Sequence, residues 1–339
     1  MTDEVLIWGA GAIGGTLGAY WARAGLPVRM VDTVVEHAAA CATDGLRIGG
    51  SVETFTQVVP CVTPAALSGV WRRVVLAVKS PATEAAAAAL RPHLAPDGYV
   101  LSAQNGLCEH VIAGIVGAER TMGAFVNFGA DWHGPGEILF GNRGAVVVGE
   151  LDGSVRPRTR DMHRLLRLFE PEAVLTDDIW SYLWGKLGYG AMLFATALTD
   201  DSIAHNFADP ARGPAFIALG REVTAVARAE GVTPRGFDGF DPAAFALEAP
   251  SGAAEASLAA LAAFNRGSAK THSGIWRDLA VRKRPTEVDG QVGAVIARGR
   301  RHGISTPHLD RLHGLIRDVE TGRRPMSPDT FAALIPCSD

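Results

Sequence analysis

Residues 4–32 read EVLIWGAGAIGGTLGAYWARAGLPVRMVD. An apolar run (4–8) stops at Gly9-Ala10-Gly11-Ala12-Ile13-Gly14, a helical pattern follows, and a second apolar run ends at Asp32. Strand, glycine turn, helix and strand within about 30 residues predict a parallel pair joined by a crossover helix. The turn fits G-x-G-x-x-G directly after a strand and at the opening of a helix, the context that makes this otherwise weak pattern point to a dinucleotide. The first glycine makes the turn, the second lets backbone approach a pyrophosphate, and the third packs helix on strand. The helix N-terminus then faces the phosphate charge. Asp32, eighteen residues past Gly14, can accept hydrogen bonds from an adenosine ribose and repel a 2′-phosphate, so NAD is favoured over NADP. Arg29 is the nearby basic residue that could fold towards a phosphate, and a solvated strand-end acid is the plain alternative for Asp32.

Outward from this unit the alternation continues. Strand-like runs occupy 73–80 (RVVLAVKS), 97–106 (DGYVLSAQNG), 120–132 (RTMGAFVNFGADW) and 144–151 (GAVVVGEL), with an Ala-rich helical stretch after Pro81. The spacing predicts a parallel sheet covered by helices on both faces. From about residue 160 the pattern turns helical, after a last apolar run at 173–178, with 231–245 reading as a loop inside the helical half. The expected division is residues 1–176 as an α/β dinucleotide-binding domain and 177–339 as an all-α domain.

Composition narrows the function classes. With 339 residues, 47% hydrophobic and 20% charged, the chain can bury two cores. A net charge of −4 gives no reason to expect a nucleic-acid partner. Cys41, Cys61, Cys108 and Cys337 have no metal-ligand or disulfide-framework spacing, so no metal is expected. No apolar stretch of membrane length and no signal-like start are seen, so a cytoplasmic protein without a membrane partner is expected. The expected partner is a small-molecule substrate, with a homodimer left open as the assembly.

One residue does not fit its surroundings. The stretch 180–198, WSYLWGKLGYGAMLFATAL, reads as a buried helix but carries Lys186, although only four of the 32 basic residues are lysines (79, 186, 270 and 283). A bare ammonium among Trp, Leu, Met and Phe costs several kcal/mol unless something pairs with it or uses it. It either snorkels from the helix end or works as a proton donor and acceptor.

GAGAIG, AVKS with Lys79, SAQNG with Asn105, WGKLGYG with Lys186, PTEVDGQVG with Glu287, and RHGISTPHLDRL occur in this order. The ordered set, spanning nearly the whole chain, resembles the ketopantoate reductase (2-dehydropantoate 2-reductase) family. The resemblance implies a Rossmann-type α/β domain followed by a helical domain, with the active site in the cleft between them. It implies NAD(P)-dependent hydride transfer, with Lys186 as the catalytic lysine at the substrate carbonyl or hydroxyl. Asn105 would touch cofactor and substrate, Lys79 would lie near the cofactor phosphates, and Ala130 would offer a backbone contact to the nicotinamide. Glu287 would lie on the cofactor and substrate ribose side; an acid in the first turn of a helix opened by Pro285 and Thr286 is its local alternative. A substrate-binding serine would fall at or beside Ser273. Its neighbour His272 is a further candidate, and Arg277 could clamp a carboxylate or pair with Asp278 or Glu287. The run 281–285 (VRKRP) reads as a solvated charged face.

The departures concern the substrate. The family pattern has asparagines one and two helical turns after the lysine, where this chain has Gly190 and Phe194; a further asparagine is replaced near Asp200 and Asp201, and the arginine after the second strand is missing. The hydride-transfer machinery matches and the ketopantoate pocket does not. The expected reaction therefore interconverts a 2-oxo acid and a 2-hydroxy acid, or a related carbonyl and alcohol. Ketopantoate reductase proper and a non-catalytic dinucleotide sensor are the alternatives.

Overall fold

The computed structural model describes residues 4–267 and 270–335, so Cys337 lies outside the described residues. The chain divides into two compact units between Ile179 and Trp180. The first holds strands β1 (Val5–Trp8), β2 (Val28–Val31), β3 (Leu46–Gly49), β4 (Phe55–Gln57), β5 (Cys61–Val62), β6 (Trp71–Leu76), β7 (Leu94–Ser102), β8 (Thr121–Val126), β9 (Gly129–Gly134), β10 (Glu137–Asn142), β11 (Val146–Glu150) and β12 (Val174–Leu175). Its helices are α1 (Ala12–Arg23), α2 (Val35–Thr43), α3 (Thr83–Leu90), α4 (Glu109–Val116) and α5 (Pro157–Phe169).

Eight strands form one sheet in the order β12-β11-β8-β7-β6-β1-β2-β5. β1 is hydrogen-bonded on both edges, to β2 and β6, in parallel. All four of its residues are buried, which is why it reads as an unbroken apolar run rather than an alternation. α1 is tied down by Trp21, a fully buried indole whose N–H donates to Leu165 O of α5 at 2.6 Å.

Two features depart from the purely parallel expectation. β11 runs antiparallel to β8. A second, four-stranded sheet (β4-β3-β10-β9) also forms, in which β3 pairs in parallel with β10. The run 120–132, expected as one strand, is two: β8 lies in the first sheet, and the chain leaves it at Asn127-Phe128 to begin β9 in the second.

The second unit is helical: α6 (Ile179–Thr196), α7 (Ile203–Ala208), α8 (Gly213–Ala229), α9 (Ala253–Arg266), α10 (Gly274–Ala280), α11 (Ala294–Arg301), α12 (Pro307–Glu320) and α13 (Pro328–Ala332). A π-helical turn, Asp289–Gly293, precedes α11. α6 is apolar nearly all round, as a helix in a core must be. Its glycines cost helix propensity, about 1 kcal/mol each against alanine, and Gly185 shows the reason. A Cβ there would lie 2.1 Å from Arg235 O, so only glycine admits the 231–245 segment, whose Arg235 N–H donates to Ser181 O at 2.9 Å. α12 is started from outside: the buried Glu222 of α8 accepts the His308 and Leu309 amides at 2.9 and 2.8 Å, and His308 Nδ1 at 2.7 Å. No helix among the described residues is long and apolar enough to cross a membrane.

Candidate active site

In the first unit, neighbouring parallel strands β2, β1, β6 and β7 each end beside an expected site residue: Asp32, Gly9, Lys79 and Asn105 respectively. The strand order reverses at β1, and the crevice outside the carboxyl ends of strands at such a switch point is where open α/β sheets bind ligands. Gly9, at φ +102°, makes the turn, and a Cβ on it would lie 2.9 Å from Ala77 C. Gly14 brings α1 onto β1: its Cβ would fall 2.0 Å from Gly9 O and 2.9 Å from Ile7 Cγ2. Gly11 differs, since a Cβ there would meet nothing within 4 Å. It is the N-cap of α1, which has no side-chain cap and no acidic residue in its first turn. Open space at Gly11, between Ala10 and Ala12 at an uncapped helix start, fits a pyrophosphate.

Asp32 is fixed against this turn. One carboxylate oxygen accepts the Ala10 N–H at 2.9 Å and the other accepts the Val34 N–H at 3.0 Å. Arg29 points its charge elsewhere, into an ion pair with Glu4 at 3.3 Å. Lys79 is exposed and Asn105 half-buried. Ala130 stands in β9 of the smaller sheet, opposite Phe140.

Two residues at this edge escaped the sequence reading. The buried His37 of α2 approaches Ala10 O at 2.8 Å through Nε2, while its Nδ1 faces the N–H groups of Gly136 (3.0 Å) and Trp132 (3.3 Å). Two donors at Nδ1 place the ring hydrogen on Nε2, so His37 donates to the glycine turn and ties it to the smaller sheet. Gln104 donates through Nε2 to Val78 O and to Thr83 Oγ1, both at 2.8 Å, clamping the segment that carries Lys79 to the one that carries Asn105. SAQNG contained a visible signal for Gln104; His37 is a lone helical histidine whose role arises only from the tertiary fold.

In the second unit, Lys186 is half-buried on α6 among the buried Leu183, Trp184, Leu187, Tyr189 and Phe194. Burial pushes the Tyr189 phenol up to about 12, and it lies within hydrogen-bond reach of Asn265. Tyr189 is thus neutral and engaged; Tyr182 and Lys186 are the other titratable side chains of α6. Glu287 is half-buried but does not open an α-helix: it precedes the π-helical turn, and its carbonyl accepts the Gln291 N–H at 3.1 Å. The turn has no side-chain cap; Thr286 accepts the N–H of Val288, the N-cap residue, at 3.2 Å and is itself held by Glu320 at 2.7 Å.

The start of α10 gathers the other candidates. Ser273 is its buried N-cap, accepting the Trp276 N–H at 3.1 Å. His272 packs on Trp276 with ring centroids 4.2 Å apart and contacts Asp200 O at 3.0 Å and Thr271 at 2.9 Å, a fully engaged imidazole. Arg277 is half-buried in the same helix. The run 281–285 is not merely a solvated face: Arg282 and Arg284 close on the buried Asp278 at 3.2 and 2.9 Å, because a carboxylate sunk to that depth needs cationic partners. No grouping of metal-ligating side chains occurs among the described residues.

The model for ketopantoate reductase PanE/ApbA matches residues 5–153, and that for its C-terminal domain matches residues 178–320. The chain belongs to the ketopantoate reductase family. Family membership makes it an oxidoreductase of CH–OH/carbonyl pairs that uses a nicotinamide dinucleotide. It is 28% identical to a 2-dehydropantoate 2-reductase of Archaeoglobus fulgidus, covering 94% of this chain and 99% of that one. A PanE/ApbA family ketopantoate reductase from Ralstonia eutropha JMP134 is 26% identical over 94% of this chain and 99% of that one, with a TM-score of 0.78. A D-mandelate dehydrogenase held with NADH and anilino(oxo)acetate shares the fold at a TM-score of 0.82 and 20% identity, over 94% of this chain and 98% of that one.

Proposed function

We propose that the protein is an NAD-preferring member of its family that interconverts a 2-oxo acid and a 2-hydroxy acid, with residues 1–176 holding the dinucleotide and 177–339 the substrate. When bound, the dinucleotide supplies or accepts the hydride. Gly9–Gly14 and Asp32 seat it, with Lys79, Asn105, Ala130 and Glu287 as further contacts. In reduction the Lys186 ammonium gives its proton to the carbonyl oxygen as hydride reaches the carbon. In oxidation the neutral amine takes the hydroxyl proton. Ser273, His272 and Arg277 border the substrate.

The observation that carries the substrate class is the face of α6 beyond Lys186. Gly190 offers no side chain and Phe194 is fully buried, so neither supplies a polar anchor for a hydroxylated substrate such as ketopantoate. The D-mandelate dehydrogenase that shares the fold, held with anilino(oxo)acetate, is compatible with an apolar 2-oxo acid. Ketopantoate reduction itself is the second reading, favoured by the name of the Archaeoglobus relative. On the first reading the enzyme is cytoplasmic, and size-exclusion chromatography decides whether it is a homodimer.

The test follows NADH and NADPH oxidation with phenylglyoxylate, 2-oxoisovalerate and ketopantoate. Turnover of either of the first two above ketopantoate supports the proposal. A kcat/KM for ketopantoate of about 10⁴ M⁻¹s⁻¹ or more, the ordinary enzyme range, supports the second reading instead. Dinucleotide binding without turnover of any substrate would point to a sensor.

A further inference from the structure

Gly190 lies one helical turn after Lys186, so the two share a face of α6, with Cβ positions about 5–6 Å apart. A Cβ built on Gly190 would meet one neighbouring atom within 4 Å, Gln291 Oε1, at 3.2 Å. The space left by the missing side chain is therefore bordered by a carboxamide. Gln291 is half-buried, and its side chain makes no hydrogen bond to the protein among the described residues. It is carried on the π-helical turn Asp289–Gly293, which begins two residues after Glu287. Such turns are uncommon, and frequent at functional sites, because the widened backbone re-aims a side chain.

We infer that Gln291 is a substrate-binding residue, presenting its amide beside Lys186 to an oxygen of the 2-oxo acid. The inference rests on the functional reading above. Oε1, the atom nearest Gly190, accepts and so suits a carbinol hydroxyl. A half-turn about the broad terminal torsion sets the Nε2 donors in its place, where they suit a carboxylate or carbonyl oxygen. Without the amide, the α6 face beyond Lys186 would leave a bound carboxylate beside Gly190 and the buried Phe194, with no polar partner from either position. Gly190 and Gln291 are a matched pair on this view: glycine at 190 is what leaves room for the amide. At 3.2 Å even an alanine Cβ at position 190 would press the Gln291 amide aside. The amide that the family pattern places on α6 is supplied here from the opposite wall.

The experiment measures KM, kcat and NADH Kd with phenylglyoxylate and 2-oxoisovalerate. Gln291→Met keeps length and removes the amide; KM should rise about ten- to a hundredfold, the cost of a lost hydrogen bond to a charged group, with NADH Kd unchanged. Gln291→Glu, equal in shape, should raise KM at least as much by repelling the carboxylate. The double variant Gln291→Ala/Gly190→Asn returns an amide from the other side and should recover part of what Gln291→Ala loses. Wild-type KM in both the Met and Glu variants would show a mere space filler and overturn the inference. So would a double variant no better than Gln291→Ala. A wild-type protein that reduces neither compound, and does not bind oxamate in the presence of NADH, would overturn the functional reading itself, and the inference with it.

Discussion

Gly11→Ala and Gly14→Ala add the same methyl group to the same turn, three residues apart, and should fail in opposite ways. At Gly14 the new Cβ would lie 2.0 Å from Gly9 O and 3.0 Å from Ala77 Cβ, so α1 must back away from β1 by more than an ångström. Overpacking of this kind costs about 1–3 kcal/mol, or about 2–12 °C of Tm for a unit of this size. At Gly11 the Cβ meets no protein atom within 4 Å, and the backbone, at φ −68° and ψ −160°, is one that alanine adopts. Stability should stay within about 0.5 kcal/mol of wild type. The methyl would instead stand where a pyrophosphate approaches the α1 N-terminus. Losing one or two charge-assisted hydrogen bonds at about 1.5–3 kcal/mol each weakens NADH binding at least about tenfold. Thermal unfolding followed by circular dichroism, and NADH titration by tryptophan fluorescence, separate the two effects. A Gly11→Ala protein that binds NADH like wild type would refute the assignment of this turn as the phosphate site. An unchanged Tm for Gly14→Ala would refute the packing argument.

Other outcomes follow from the same geometry. Lys186→Met, which keeps the apolar stem, should lower kcat by about 10²–10⁴ and leave NADH Kd and Tm close to wild type; near-normal kcat would return Lys186 to a snorkelling role. Asp32→Ala should narrow the preference for NADH over NADPH by at least about fivefold, since a carboxylate near a 2′-phosphate costs about 1 kcal/mol or more per charge; a wild-type enzyme that prefers NADPH would sink the role given to Asp32. Glu222→Ala removes the acceptor for three donors at the start of α12, so Tm should fall by about 4–15 °C while NADH affinity holds; an unchanged melting curve would show that water replaces the carboxylate.

The central sheet was legible because its evidence is local. Val5–Trp8 is unbroken apolar chain, and the glycine turn and α1 follow at once. The smaller sheet was not, because Arg47 and Glu137 are partners 90 residues apart and no local pattern names them. Residues 120–132 look alike along their length, yet the chain changes sheets at Asn127-Phe128. The site divides the same way. Gly9–Gly14 and Asp32 announce themselves by spacing, whereas His37 and Gln291 gain meaning only from what folding sets beside them. The run 281–285 is largely exposed, as expected, but its two arginines also pair with Asp278, whose burial no local pattern announces.

The pairing of β3 with β10 also sets a timetable for synthesis. Arg47 cannot find Glu137 until 90 further residues have been added, which at about 5–20 residues per second takes about 5–20 s. Over that interval Leu46 and Ile48, both fully buried in the finished fold, belong to a strand paired on one edge only, with β4, its other partner not yet made. The nascent chain thus carries an open strand edge beside a glycine turn whose His37 still lacks its Trp132 and Gly136 partners, and this is the stage at which chaperones or aggregation partners meet it.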